Sequence, residues 1–307
     1  MNPEHSPVLF EIKGNSLDDG PGIRSVIFFK GCPLDCTWCH NPEGKRPEPE
    51  LSFDAGVCVG CDTCSGICDK NALDRKNPLF VDRTRCDQCF RCVEACPSGA
   101  LSRVGRQWTI AEIVRMIIRD KPFFSTSGGG VTLSGGEPTM FMDSLSPLLP
   151  ALKAEGIHIL LETCGLFSLD RFDRMVYPFL DMIYMDIKLI DPEMHRRYCG
   201  VSNETILKNL EVLHSRAKNG GIPILPRIPL IPEITATKVN LSGIAGWLKK
   251  IDVEQAALMA YHPLWREKEK KIGRMTTDFS EPVFDKWMGH DGVDSCRRIF
   301  AEAGITV

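Results

Sequence analysis

The chain has 307 residues, 43% of them hydrophobic and 25% charged, with 37 Lys+Arg set against 40 Asp+Glu for a net charge of -3. This composition excludes disorder, collagen and coiled coil, and the length suits about two domains with a sizeable core. No stretch approaches the ~18 apolar residues of a membrane span, the start MNPEHSPVLFEIKG carries no secretion signal, and the slight acidity argues against a broad nucleic-acid surface, so a cytoplasmic protein acting on neither membrane nor nucleic acid is expected.

In chain order, SVIFFK at 25–30 reads as a buried strand running straight into Cys32. Cysteine is the outlier, with eleven of 14 lying between Cys32 and Cys96. Cys32, Cys36 and Cys39 form C-x3-C-x2-C. Cys58, Cys61, Cys64 and Cys68 form C-x2-C-x2-C-x3-C, and Cys86, Cys89, Cys92 and Cys96 repeat that spacing, followed by Pro97. The periodicity then predicts helices over 110–120, 145–154, 169–177, 203–217 (with Asn203 as N-cap), 236–249 and within 280–303. Between them it predicts strands over 131–134, 157–163, 182–187, 224–230 and 256–261. Six strands separated by helices imply parallel β/α units, hence an α/β fold with an open or partial (β/α)6 barrel. Chemistry in such barrels sits at the C-terminal ends of the strands. There lie the Cys32 loop, Gly135-Gly136-Glu137, Glu162-Thr163, Asp186 and Lys188, Arg227 and His262. The cysteine quartets read as an inserted ferredoxin-like module, which divides the chain into 1–48 and 105–307 for the barrel and 49–104 for the insert.

The quartet spacing is that of two-cluster ferredoxins, where the fourth cysteine ligates the other cluster. It assigns Cys58, Cys61, Cys64 and Cys96 to one 4Fe-4S cluster and Cys86, Cys89, Cys92 and Cys68 to a second. Asp69 stands where the pattern has proline, which weakens the turn signal after Cys68. A zinc ribbon also uses paired C-x2-C, but it leaves the repeat unexplained. The first set has only three thiols, so either a distant fourth ligand completes a cubane or one iron stays open to bind a small molecule. Buried structural cysteines are the plain alternative. Cys164, Cys199 and Cys296 are expected to be buried thiols.

C-x3-C-x2-C with Trp38 before the last cysteine resembles the radical S-adenosylmethionine (radical SAM) enzymes. Together with DGPGIR at 19–24 and FFKGCPLDCTWCHNPE it resembles the glycyl-radical enzyme activating enzymes, in their larger form with two extra ferredoxin-like 4Fe-4S clusters. The resemblance runs from about Phe10 to Gly273. It implies three 4Fe-4S clusters, S-adenosylmethionine as co-substrate, a glycyl-radical enzyme as protein substrate, a flavodoxin or ferredoxin as electron donor, and a monomer. The implied reaction is reductive cleavage of S-adenosylmethionine to a 5′-deoxyadenosyl radical, which takes hydrogen from a glycine of the partner. A radical SAM enzyme acting on a small molecule, or an iron–sulfur electron-transfer protein, are the competing readings.

The resemblance also implies residue roles. Gly135, Gly136 and Glu137 would receive the methionine amino group, with Glu137 accepting from the ammonium; a tight turn is the plainer reading. Lys188 would lie near the carboxylate, although Asp186 and Lys188 could simply pair. Glu162, Thr163 and Asp186 match a position that binds a monovalent cation, with glutamate here in place of the expected aspartate. Arg227 would meet the carboxylate or ribose, or else bridge the barrel top. His262 would lie near the adenosine, and Trp38 and His40 would set backbone against adenine. Asp19 would border the entering glycine loop, where a plain β-turn explains DGPG equally well.

Overall fold

The structure, a computed structural model, describes residues 6–274 and 282–307. It opens on an antiparallel hairpin, β1 (Val8–Ser16) and β2 (Arg24–Phe29). The cysteine-rich segment follows, framed by the antiparallel pair β3 (Glu50–Phe53) and β4 (Leu101–Val104), with two short helices, α1 (Thr63–Ile67) and α2 (Arg91–Glu94), between them. The two-residue strand β5 (Arg106–Gln107) then returns to pair with β1. Helices α3 (Ile110–Ile118) and α4 (Lys121–Ser127) lead to β6 (Gly130–Gly135). From there strand and helix alternate: α5 (Met142–Ala154), β7 (Ile159–Thr163), α6 (Leu169–Met175), β8 (Met182–Asp186), α7 (Pro192–Cys199), α8 (Glu204–Lys218), β9 (Ile224–Leu230), α9 (Lys238–Lys250) and β10 (Ala257–Ala260). Helices α10 (Trp265–Lys271) and α11 (His290–Glu302) complete the described chain.

The sheet runs β10-β9-β8-β7-β6-β2-β1-β5. Its parallel part holds the six expected strands in sequence order, from β2 to β10. Helices cover the outer face, so the central strands are buried and read as near-continuous apolar runs. Val26, Ile27, Val131, Leu133, Leu160, Leu161 and Ile183 are all fully buried. The sheet does not close, since β10 and β5 are its edges. This is a partial (β/α)6 barrel widened by the antiparallel pair β1 and β5, neither of which the periodicity predicted.

Several local signals deserve correction. The helix at α7 was missed because its sequence, PEMHRRYC, has no apolar stripe, yet it carries end signals. Asp191 caps it by accepting from the Met194 N–H at 2.8 Å, Pro192 is its first residue, and Gly200 ends it at φ +85°. Asn203 does precede α8 but makes no side-chain cap. Its amide instead donates to the Leu189 and Ile190 carbonyls, both at 2.8 Å, and so ties down the chain leaving β8.

The insert has its own small core of Leu51, Leu73, Phe80, Val81 and Leu101. Its sequence repeat is also a backbone repeat. Asp62 and Phe90, each just after the second cysteine of its quartet, are left-handed and start the short helix that carries the third. Asn71 and Gly99, each three residues past the fourth cysteine, are left-handed as well. The turn after Cys68 therefore forms without proline: Asn71 N–H donates to the Cys68 carbonyl at 3.0 Å, and Asp69 pairs with Arg91. Buried charges join insert to barrel, with Glu50 bound by Lys30 at 2.7 Å and by Arg274 at 3.1 Å.

Candidate active site

A cavity of ≈ 510 Å³ occupies the open side of the half-barrel, within the range of small-molecule sites. Cys32, Cys36 and Cys39 line it, as do Trp38 and His40 from the same loop. β2 delivers this loop, and backbone bonds hold it: Cys32 N–H donates to the Lys45 carbonyl at 3.0 Å, and Asp35 N–H to the Cys199 carbonyl at 2.9 Å. Asp19, Gly135, Gly136, Glu162, Thr163, Asp186, Lys188, Arg227 and His262 line the same cavity. Residues separated by more than 240 positions thus share one space, because every parallel strand ends at the same side.

Glu137 is the exception. It is fully buried and does not line the cavity. Its carboxylate accepts from the Thr139 hydroxyl at 2.7 Å, the Thr163 hydroxyl at 2.8 Å and the Cys164 N–H at 2.7 Å. A carboxylate so engaged fixes the ends of β6 and β7 and is not offered to a ligand. The glycines before it also answer to the protein. A Cβ on Gly136 would stand 2.2 Å from the Gly31 carbonyl oxygen, and one on Gly135, at φ +110°, 2.4 Å from Phe29 N. The close approach there is between β6 and the strand that feeds the cysteine loop.

Arg227 sits in the middle of β9, opposite Asp186 at the end of β8, and not at a strand end as expected. Its guanidinium spans the barrel, 2.5 Å from Glu162 and 3.0 Å from Asp186. Ser134 donates to the other Glu162 oxygen at 2.6 Å, and Lys188 reaches Asp186 at 3.2 Å. The cation partners do not converge as expected. Thr163 is turned to Glu137, and the guanidinium lies between the two carboxylates. Burial pushes the Glu162 carboxyl up despite Arg227. Burial acts the same way on Asp186, but Arg227 and Lys188 outweigh it and hold that group low. Lys188 is lowered by burial and raised more strongly by Asp186 and the nearby thiols, so it stays charged.

The thiols differ among themselves. Burial pushes the Cys32 thiol up and the Cys39 thiol up to about 11. The neighbouring Cys199 thiol, aided by Lys188, brings Cys36 down to about 7 against the effect of burial. Cys164, Cys199 and Cys296 are buried and unbridged, as expected.

At the mouth, the His40 and His262 rings lie with centroids 4.2 Å apart, tilted by 31°, and Trp287 follows at 5.3 Å from His262. His40 Nε2 and His262 Nδ1 are buried without a hydrogen-bond partner. Burial pushes His40 down to about 4 and lowers His262 as well, so both rings are neutral. Lys268, missed in the sequence, reaches the His40 carbonyl at 3.1 Å and Asn41 Oδ1 at 2.9 Å. Arg24 was also passed over. It is fully buried, with Nε on Thr132 Oγ1 at 2.6 Å and Nη2 on the Val131 carbonyl at 2.5 Å. Thr132 Oγ1 in turn donates to the Asp19 carbonyl at 2.7 Å, which fixes the DGPGIR turn. Its position inside that motif was the available signal.

In the insert the quartets interleave. One recess is lined by Cys58, Cys61, Cys64 and Cys96, the other by Cys68, Cys86, Cys89 and Cys92. Four cysteines lining each recess beside apolar walls would suit iron–sulfur clusters once deprotonated, and three cysteines on one cavity with two imidazoles nearby would suit a cluster with an adenosyl ligand.

The sequence model described as Radical SAM superfamily matches residues 83–239. Those described as 4Fe-4S dicluster domain and 4Fe-4S single cluster domain match 50–97 and 18–70. A solved radical SAM methyltransferase from Sphaerobacter thermophilus shares the fold at 12% identity, with TM-score 0.53 over 98% of this chain and 76% of that one. The fold is thus that of a radical SAM enzyme. The isethionate sulfite-lyase activating enzyme of Nitratidesulfovibrio vulgaris is 38% identical over 88% of this chain and 91% of its own. The trans-4-hydroxy-L-proline dehydratase activating enzyme of Clostridioides difficile is 35% identical over 87% and 88%. The chain belongs to the glycyl-radical enzyme activating enzymes.

Proposed function

We propose that this chain carries out the family's reaction with the residues that share its main cavity. The enzyme uses iron–sulfur chemistry and S-adenosylmethionine to place a radical on a glycine of a glycyl-radical enzyme. Cys32, Cys36 and Cys39 hold the barrel cluster, which supplies the electron that divides S-adenosylmethionine into methionine and a 5′-deoxyadenosyl radical. Lys188, kept charged by Asp186, attracts the methionine carboxylate, and the backbone at Gly135 and Gly136 faces the amino group. His40 and His262 accept the adenine edge at their unpaired nitrogens. Arg227 supplies the positive charge between Glu162 and Asp186 that the expected monovalent cation would have brought. Asp19 borders the entering glycine loop.

The two cysteine recesses support one 4Fe-4S cluster each, three in all, with the insert at 49–104 relaying electrons from a flavodoxin or ferredoxin. The chain works as a monomer in an anaerobic cytoplasm; among the described residues no helix is long and apolar enough to cross a membrane. The observation that carries this reading is the meeting of three cysteines, two orphaned imidazoles and the Lys188–Asp186 pair in one cavity. Anaerobic mixing with candidate glycyl-radical enzymes, S-adenosylmethionine and a reductant tests it. A glycyl-radical signal in the partner by electron paramagnetic resonance supports the reading. 5′-Deoxyadenosine release without that signal in any partner contradicts it.

A further inference from the structure

The parallel strands begin with β2 and end with β10, and the barrel stays open between them. The cysteine loop leaves β2 and α10 follows β10, so both segments border that opening. Lys268 of α10 ties them together. It donates to the His40 carbonyl at 3.1 Å and to Asn41 Oδ1 at 2.9 Å, and it pairs with the Glu43 carboxylate at 3.0 Å. An ammonium has three N–H groups, and here each finds an acceptor on the stretch that follows Cys39. The His40 and His262 rings, 4.2 Å apart, join the same two segments.

Two other cations hold this stretch, but both also serve the insert. Lys30 donates to the Glu43 carbonyl at 2.6 Å and Arg274 to the Pro42 carbonyl at 3.3 Å, and each binds Glu50 as well. Of the three, Lys268 is the one that lines the main cavity. Its side chain is 42% exposed, and an ion pair so open to water contributes little to stability. Its two uncharged acceptors, however, belong to His40 and Asn41, which form part of the cavity wall. The contact therefore shapes the cavity more than it stabilises the fold.

We propose that Lys268 is a positioning residue for S-adenosylmethionine: from α10 it latches the stretch after Cys39 across the open side of the barrel and so fixes the His40 end of the cavity. This rests on the functional reading above, in which His40 and His262 face the adenine. Lys268 acts through His40 and Asn41 and takes no part in electron or hydrogen transfer. Its loss weakens binding and leaves the bound complex competent.

The test is equilibrium dialysis of S-adenosylmethionine against anaerobically reconstituted wild type, Lys268→Met, Lys268→Arg and Lys270→Met. 5′-Deoxyadenosine formation under dithionite, at saturating S-adenosylmethionine, is measured beside it. Lys268→Met keeps the stem without the donors and is expected to raise the Kd about tenfold, the scale of a lost charge-assisted hydrogen bond, with the saturated rate unchanged. Lys268→Arg restores charge and donors and should return the Kd toward wild type. Lys270, on the same helix, pairs with Glu267 at 2.9 Å, and Lys270→Met should match wild type. Hydrogen exchange over 40–44 should rise in Lys268→Met and not in β6 to β9. An unmoved Kd in Lys268→Met, an arginine variant as weak as methionine, an equal shift in Lys270→Met, or a lower saturated rate at wild-type Kd would overturn the proposal. Failure of the wild type to bind S-adenosylmethionine would instead overturn the functional reading.

Discussion

The two cysteine-bearing regions are built on opposite principles. In the barrel, the cysteine loop is set by a sheet, and Cys36 is buried among side chains that follow strand ends or lie on helices far apart in sequence, such as Cys164, Leu189, Cys199 and Ile231. In the insert, the cysteines of each quartet lie close together in sequence, around helices of only five and four residues that carry Cys64 and Cys92, and Cys58, Cys61 and Cys89 are exposed. The barrel has a large core that does not involve Cys32, Cys36 or Cys39, whereas the insert's few apolar residues pack directly against its own cysteines. A segment this small depends on bound metal for much of its folding energy. On the proposed reading the barrel organises its cluster, while clusters organise the insert.

The sharpest way to break this contrast is to delete one ligand on each side. Cys36→Ala is expected to remove the barrel cluster and abolish 5′-deoxyadenosine formation while the barrel stays folded, checked by iron content, chromatography and circular dichroism. Cys58→Ala and Cys86→Ala should keep dithionite-driven cleavage but lose activation by the protein donor. Hydrogen exchange should also rise across 50–104 and not in β6 to β9. Equal exchange in both regions would erase the distinction.

A second test concerns what holds the barrel interior. Arg227→Ala leaves Glu162 and Asp186 without their shared cation, and these three side chains are only 12%, 10% and 26% exposed. Breaking a buried pair from one side costs about 3–5 kcal/mol, to be read from urea unfolding. Removing Arg91, whose partner Asp69 is 70% exposed in the insert, should leave the unfolding midpoint almost unmoved, because solvent screens an exposed pair.

The smallest effect expected is on pH dependence. His195, buried in α7 with Nδ1 2.6 Å from the Val201 carbonyl, is lowered by burial. The unfolded chain takes up its proton first, so stability is full above the ordinary histidine range and declines as pH falls through it. A His195→Gln variant should show a flatter melting temperature below that range.

What was legible in the sequence follows the same division. Cluster ligation is local, so the quartet spacing carried the interleaving, whereas the repeated left-handed turns at Asp62, Phe90, Asn71 and Gly99 had no signal beyond the repeat itself. The parallel strands were legible because burial on both faces leaves unbroken apolar runs. β1 was not, because its Val8–Ser16 stretch lies near the sheet edge and half of it faces outward. Glu137, Arg227 and Lys268 carry residue types that fit several roles. Only the meeting of separate elements decides among them: Thr139, Thr163 and Cys164 around Glu137, two carboxylates around Arg227, and the stretch after Cys39 beside Lys268.

The most direct test of the central claim follows one atom. A partner glycyl-radical enzyme labelled with deuterium at its glycine Cα is mixed with reduced enzyme and S-adenosylmethionine. Mass spectrometry of the 5′-deoxyadenosine should find one deuterium, appearing together with the glycyl radical. Unlabelled 5′-deoxyadenosine and a partner without radical would contradict the account.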